Sequence, residues 1–270
     1  VLGYVPSHLR RPSRSSLFSG RFGIHTGIVC HNGTAGDPFV EGSDRLPQST
    51  LGRTSWMRCL RDAGLRTATI SSFADRHSAW HWYANFNDIY NPGLMGRDRA
   101  DHVAPAAIDW IDHNGSDDDW FLHVNFWDPH GPFRTPASFG DPFADEPLPA
   151  WYSESVRQQM WEAGVGPFSA RFHAGDYQRL VGSDMDFSRQ PGPIDSMDDV
   201  RRLFDGYDTG VLYADHYIGQ ILNALADIGV LDETVVMISA DHGENLGELN
   251  FQGNHGTADA ITARVPLIVR

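Results

Sequence analysis

The sequence predicts an α/β fold in three layers, with a mostly parallel sheet and helices on both of its faces. Two apolar runs, residues 120–127 and 234–240, have the length and composition of buried strands. Between them, residues 197–228 carry apolar side chains at steps of three and four, which is typical of an amphipathic helix. Strands that alternate with such helices favour a parallel sheet covered by them.

Composition narrows the class of protein. The chain has 270 residues and a formal net charge of −14, and we interpret residues 1–270 as a single domain cut at both ends. The acidic balance argues against nucleic acid or an anionic membrane as a partner, and no apolar run reaches the ~20 residues of a membrane span. Cys30 and Cys59 form no disulfide framework, although one bridge between them stays open. Nothing in the sequence fixes the compartment.

The first half of the chain predicts three helices and one strand. Residues 12–21 begin with a proline suited to a first helical turn and contain a glycine suited to a helix stop. A second helix is expected within 49–63, followed by an alternating strand at 65–71. Residues 103–112 repeat alanine and isoleucine at helical spacing, so they predict a third helix.

The second half contains the strongest local signals. After the strand at 120–127, residues 131–195 are rich in Pro, Gly and Asp, which predicts a long excursion from the core that shapes substrate access. The helix at 197–228 is preceded by a Ser-x-x-Asp capping box. It leads into the strand at 234–240, and a last strand is expected at 265–269. We expect all four strands to belong to one sheet.

Ionisable side chains follow two of these strands. Asp241 and His242 come directly after the apolar run at 234–240, and His130 follows the run at 120–127. Ligands of open α/β sheets bind beyond the carboxyl ends of the strands, and an adjacent Asp and His can both ligate a metal there. Arg14 falls in the first turn of a predicted helix, where a guanidinium beside backbone N–H groups makes an anion site.

Three ordered motifs together resemble the sulfatase family of the alkaline-phosphatase-like superfamily. They are P-S-R-S-S-L-F-S-G-R near the start, F-W-D-P-H-G-P-F in the middle, and S-A-D-H-G-E-N-L-G-E with R-V-P-L-I-V near the end. The resemblance covers nearly the whole chain. It implies a sulfuric ester hydrolase acting on a small-molecule or glycan sulfate ester, with a divalent metal that is usually calcium. A nitrogen ligand makes manganese or zinc the alternatives.

The resemblance also implies roles for five residues. Asp241 and His242 match the family's second pair of metal ligands, and Arg14 matches the arginine that steadies the nucleophile. His130 matches a histidine that contacts the sulfate. His255 stands where the family usually has a lysine near the leaving group, and it could act as the acid because imidazole titrates near neutrality. We expect these five side chains to converge on one pocket.

Departures from the family pattern bear on activity. The residue that the family converts to the formylglycine nucleophile is Arg10 here, and a guanidinium offers no lone pair for attack. The lysine and histidine expected after the strand at 65–71 are absent, which leaves His77 as the nearest substitute. The family's first aspartate pair would lie upstream of Val1. We therefore expect weak metal binding and no sulfatase turnover from the chain as given.

Two alternative functions stay open at this stage. A phosphodiesterase or phosphonate monoester hydrolase on the same scaffold would need the same arginine and metal but tolerates a different nucleophile. A non-enzymatic descendant would keep the fold and bind an anion or a partner, and Arg10 is the feature that favours it.

Overall fold

The structure, a computed structural model, describes residues 2–4, 10–30, 36, 55–171 and 187–270. Its strands are β1 (Leu2–Tyr4), β2 (Arg66–Ile70), β3 (Asp88–Tyr90), β4 (Trp120–Val124), β5 (Met237–Ser239), β6 (Asn245–Leu246), β7 (Gln252–Asn254) and β8 (Arg264–Val269). Its α-helices are α1 (Arg10–Ser19), α2 (Gly23–Thr26), α3 (Trp56–Asp62), α4 (Phe73–His77), α5 (Ala100–Asn114), α6 (Glu154–Ala163), α7 (Met197–Asp227) and α8 (Ala260–Ala263). Short 3₁₀ turns occupy Trp80–Tyr83, Ala137–Phe139, Leu231–Glu233 and Glu248–Asn250.

The chain packs as two compact units. The first unit comprises residues 1–126, 219–243 and 256–270, and the second comprises residues 127–218 and 244–255. The second unit includes the Pro- and Gly-rich excursion that the sequence predicts. Each unit has its own apolar core.

The α/β class is confirmed, but the expectation of one sheet for the four predicted strands is wrong. In the first unit β2 pairs in parallel with β3 and β4, whereas β8 pairs antiparallel with both β1 and β5. The described residues thus place β2 and β4 in one three-stranded sheet and β5 and β8 in another. Strand partners are chosen by backbone hydrogen bonds, which the side-chain pattern does not specify.

Strand β5 also differs from the buried strand that its apolar run predicts. Val235, just before the strand, is 74% exposed and Met237 is 58% exposed. Their neighbours Ile268 and Val269 on β8 are exposed as well. An apolar run has the same appearance in sequence whether other parts of this chain cover both faces of the strand or leave them exposed.

Helix α5 covers the parallel sheet of the first unit. Val103, Ala107, Trp110 and Ile111 lie at steps of three and four on one face of α5 and are buried. Ile70 of β2 packs against this face, together with side chains from the C-terminal turns of α7. Burial of this apolar stripe holds the strand ends of the sheet in place.

In the second unit, the loop after β4 packs closely against the backbone of helix α7. A Cβ at Gly210 would lie 2.8 Å from Cβ and 2.9 Å from Cα of Pro129, and one at Gly206 would lie 2.6 Å from the ring of Phe133. Because the two glycines are four residues apart, they lie on one face of the helix. The loop that follows β4 therefore rests directly on the backbone of α7.

Several local predictions are confirmed. The helix predicted at 197–228 spans Met197–Asp227, and Ser196 and Asp199 form the reciprocal capping hydrogen bonds. Helix α3 begins at the cap Ser55, whose side chain accepts the Arg58 N–H. Helix α1 begins at residue 10, two residues before the predicted start, and the predicted glycine follows its end.

Two further findings concern the surface. Cys30 and Cys59 are both exposed and carry free thiols, so no disulfide joins them. Within the described part of the chain, none of the helices combines the length and the apolar character required to cross a membrane.

Candidate active site

Arg14 and Asp241 form an ion pair within the first unit. Nε of Arg14 donates to Oδ2 of Asp241 at 2.6 Å, and the two side chains are 11% and 18% exposed. The Arg14 guanidinium also lies 4.3 Å from the centroid of the Phe73 ring. One carboxylate and one aromatic face therefore fix the orientation of the guanidinium, and such partial burial strengthens the pairing relative to a surface ion pair.

The turn after β5 holds His242 in one tautomer. Nδ1 of His242 lies 2.8 Å from the Gly243 carbonyl oxygen, so Nδ1 carries the proton and donates it. Gly243 in turn donates its N–H to the Thr262 carbonyl at 2.8 Å, and a Cβ at Gly243 would lie only 2.0 Å from the Ile261 carbonyl oxygen. Glycine is required at position 243 because the backbone at Ile261 occupies the space that a side chain would need.

Asp241 and His242 fit a divalent cation as two neighbouring ligands. Oδ1 of Asp241 and Nε2 of His242 are 3.7 Å apart, a separation that one ion with ligand distances of roughly 2.0–2.6 Å can span. The donor set is one carboxylate and one imidazole. Calcium takes six to eight oxygens, so these two residues would supply only part of its coordination shell.

The loop after β4 positions His130 in the second unit. The His130 N–H donates to the Trp127 carbonyl at 2.8 Å, and its Nδ1 contacts the Gly131 carbonyl oxygen. Arg134, which is 5% exposed, donates to the His130 carbonyl at 3.3 Å. Hydrogen bonds to both the N–H and the carbonyl group of His130 therefore hold the backbone of this loop.

His255 lies next to His130 in the same unit. The two ring centroids are 5.3 Å apart with an interplanar angle of 66°, and their ligand nitrogens lie within 4.8 Å. The Glu244 carboxylate is 3.4 Å from Nδ1 of His255. Two imidazoles and a carboxylate therefore form a compact group of proton donors and acceptors.

A further histidine, His123, lies near Arg14 and was not expected from the sequence. His123 lies on β4, and its Nδ1 is 2.9 Å from Oγ1 of Thr69. The centroid of its ring is 5.2 Å from the centroid of the Phe18 ring. Burial, together with a smaller effect of the positive charge of Arg14, lowers the pKa of His123 to about 3. A neutral imidazole therefore supports the helix that carries Arg14.

The predicted residues form two groups. Arg14, Asp241 and His242 are brought together in the first unit, and His130 and His255 in the second. The convergence of all five stays a prediction. The sequence reasoning missed Phe73 under Arg14 and Glu244 beside His255. Glu244 could have been found because it stands two residues after His242 in the motif, whereas nothing local marks Phe73.

Comparison with known proteins identifies the family. The sulfatase family model matches residues 3–270. Human iduronate 2-sulfatase is 30% identical over 149 residues, which cover 55% of this chain and 26% of that enzyme. The matched stretch therefore spans about a quarter of the length of that relative.

Two solved structures share the fold over 99% of this chain. One is BT4656 in complex with its substrate D-glucosamine-2-N,6-O-disulfate, with a TM-score of 0.66, 18% identity and 62% of that chain covered. The other is the phosphonate monoester hydrolase SpPMH from Silicibacter pomeroyi, with a TM-score of 0.64, 19% identity and 59% covered. Since the family model matches nearly the whole chain, the chain belongs to the sulfatase family.

Proposed function

We propose that this chain forms the catalytic core of a sulfuric ester hydrolase that binds a sulfate ester of a small molecule or a glycan. The ion pair of Arg14 with Asp241 is the observation that carries the proposal, because it joins the first motif to the last across 227 positions of sequence. A sulfate ester resists attack until its oxygens are neutralised, and an oriented guanidinium supplies a fixed positive charge for them.

Each group has its own role in this proposal. Asp241 and His242 would hold a divalent cation, with calcium as the first candidate and manganese or zinc as alternatives. When bound, the cation would neutralise ester oxygens as a Lewis acid. His130 would donate to a sulfate oxygen, and His255 would protonate the leaving oxygen. The fixed Nδ1 proton of His242 supports the ligand role, since it leaves Nε2 as the nitrogen with a lone pair.

The same proposal includes a lack of sulfatase turnover in the chain as given. Arg10 stands at the nucleophile position, one helical turn before Arg14 on α1. A guanidinium cannot attack sulfur, and it would also repel a metal. Arg10 thus supports an anion-binding, non-catalytic state of this fold as the second candidate function.

The proposal is tested by binding and turnover measured side by side. Calorimetry with inorganic sulfate and calcium should give weak, metal-assisted anion binding that disappears in Arg14→Ala. An aryl sulfate should show no hydrolysis above background, whereas aryl phosphate and phosphonate esters in the same panel test the phosphonate hydrolase alternative. Absence of sulfate binding would contradict the proposed site, whereas submicromolar calcium affinity, or aryl sulfate turnover that Arg14→Ala abolishes, would contradict the weak metal binding and the lack of turnover expected for this chain.

A gain-of-function variant tests the role of position 10. Arg10→Cys, coexpressed with a formylglycine-generating enzyme and preceded by a strand that carries the aspartate pair implied by the family resemblance, should give aryl sulfate hydrolysis. The matched control Arg10→Ala in the same context removes the cation but supplies no nucleophile, so it should improve metal binding without turnover.

A further inference from the structure

Two aromatic side chains, Trp151 and Tyr152, pack against the hairpin of β6 and β7, whose second strand ends one residue before His255. Tyr152 is buried, and its hydroxyl donates to Oε1 of Gln252 on β7 at 3.1 Å. A Cβ at Gly247, which follows β6, would overlap Cε2 of Tyr152 and lie 3.2 Å from Cη2 of Trp151. Both rings therefore rest against the same end of the hairpin.

A β-bulge brings the position of His255 to the hairpin face that Tyr152 contacts. Gln252 and His255 are three residues apart, so a regular strand would direct their side chains to opposite faces. Gly253, with a φ of +63°, is the extra residue of a bulge between them, and the bulge returns them to one face. The 3.4 Å separation between Oε2 of Glu244 and Nδ1 of His255 agrees with this register.

Trp151 is exposed to solvent, although its neighbour Tyr152 is buried. Trp151 is 42% exposed, and the two ring centroids are 4.9 Å apart with an interplanar angle of 39°. Tyr152 belongs to the apolar core of the second unit, so it holds the Trp151 backbone in place while much of the indole meets solvent. Leu249, in the turn after Gly247, is exposed as well. A fixed, exposed indole is a surface on which a ligand ring can stack.

We propose that Trp151 is the platform for a sugar ring of a glycan sulfate ester whose sulfate group is bound near His255. The inference rests on the proposed function, and it selects a glycan over a small-molecule ester. From Gly247 to the position opposite His255 is three residues, or roughly 10 Å of extended strand. A glycan chain can bridge this separation, whereas a simple alkyl sulfate is too short. Glu248, in the same turn, offers carboxylate oxygens that accept hydrogen bonds from sugar hydroxyl groups.

The indole N–H signal of Trp151 in a ¹H–¹⁵N NMR spectrum tests this contact directly. The signal is assigned by its loss in Trp151→Phe, and the probe is a heparin-derived disaccharide that contains a sulfated glucosamine. We expect the Trp151 signal to shift on titration with the disaccharide, while the signal of Trp80, an exposed tryptophan of the first unit, stays in place. Absence of a shift at Trp151 would overturn the inference.

Calorimetry measures what the platform contributes to affinity. The ratio of the affinities for the disaccharide and for inorganic sulfate should fall roughly tenfold in Trp151→Ala, whereas Trp151→Phe should retain most of it because an aromatic face remains. The matched control Trp80→Ala also removes an exposed indole and should leave the ratio unchanged. Equal losses in Trp151→Ala and Trp80→Ala would mean that the disaccharide adheres to any exposed indole, and the inference would be wrong.

The two measurements distinguish this inference from the proposed function. If inorganic sulfate binds but the affinity ratio is the same in Trp151→Ala as in the wild-type chain, the platform is wrong and the sulfate site stands. If the disaccharide shifts the Trp151 signal but inorganic sulfate does not bind, the proposed function fails and the platform stands. A larger shift of that signal with the apolar dye ANS than with the disaccharide would assign the surface to an apolar partner and overturn the inference.

Discussion

Replacement of Gly210 by alanine should destabilise this protein, although the same change in an ordinary helix stabilises it. Glycine inside a helix costs about 0.5–1 kcal/mol relative to alanine, which would favour Gly210→Ala. However, the added Cβ would lie 2.8 Å and 2.9 Å from Cβ and Cα of Pro129. Backbone cannot move aside as a flexible side chain can, and overpacking of this kind costs about 1–3 kcal/mol.

Gly219 provides the matched control in the same helix. A Cβ there would meet nothing within 4 Å, so Gly219→Ala should gain the full helix-propensity term. Since that term is shared, the difference in unfolding free energy between the two variants isolates the contact with Pro129. We expect Gly210→Ala to be less stable than Gly219→Ala by about 1–3 kcal/mol.

Denaturant unfolding followed by tryptophan fluorescence measures this difference, and thermal unfolding provides a second reading. At this chain length, each 1 kcal/mol corresponds to roughly 2 °C in Tm. Pro129 precedes His130, so Gly210→Ala should also weaken sulfate binding while Gly219→Ala leaves it unchanged. Equal stability of the two variants would refute the reasoning, because it would mean that the loop after β4 does not rest on α7.

Three further predictions concern the first unit. In a double-mutant cycle, Arg14→Ala and Asp241→Asn should show a coupling energy of about 1–3 kcal/mol by denaturant unfolding, and independence of the two changes would exclude the ion pair. Gly243→Ala should lower divalent-metal affinity in calorimetry without removing a ligand, because its Cβ would lie 2.0 Å from the Ile261 carbonyl oxygen; unchanged affinity would count against this packing. The pKa of His123 is lowered from 6.5 to about 3, so between these values the unfolded chain binds a proton that the folded chain excludes. Stability should therefore fall as pH drops below about 6.5, by up to ~1.4 kcal/mol per pH unit, and this part of the fall should vanish in His123→Gln; identical pH profiles for the two proteins would contradict it.

Local signals account for what could be predicted about the elements. Helix α7 was predicted nearly to its ends because its apolar period, its Ser196–Asp199 capping box and the glycine at 229 all act within a few residues of one another. The residue patterns that predict strands β2 and β4 are also local. Capping, turn formation and amphipathic spacing are properties of neighbouring residues, so the sequence displays them directly.

The motif residues were predictable for a different reason. Asp241, His242 and His130 follow apolar strands, and Arg14 lies in the first half of a helix, so their placement at element ends could be predicted. The contact between Arg14 and Asp241 could not be derived from those positions alone. The prediction that they converge needed the family resemblance in addition to strand-end placement, since 227 residues separate the two.

Sheet pairing and close packing were decided by the tertiary structure. Local residue patterns indicate that β5 and β8 are strands, but their antiparallel pairing and their separation from β2 depend on backbone hydrogen bonds. The same holds for the glycine at position 210, which is an ordinary helix glycine in sequence and a contact with Pro129 in the fold. Backbone groups are chemically alike at every residue, so which of them meet across the chain is settled only when the whole core packs.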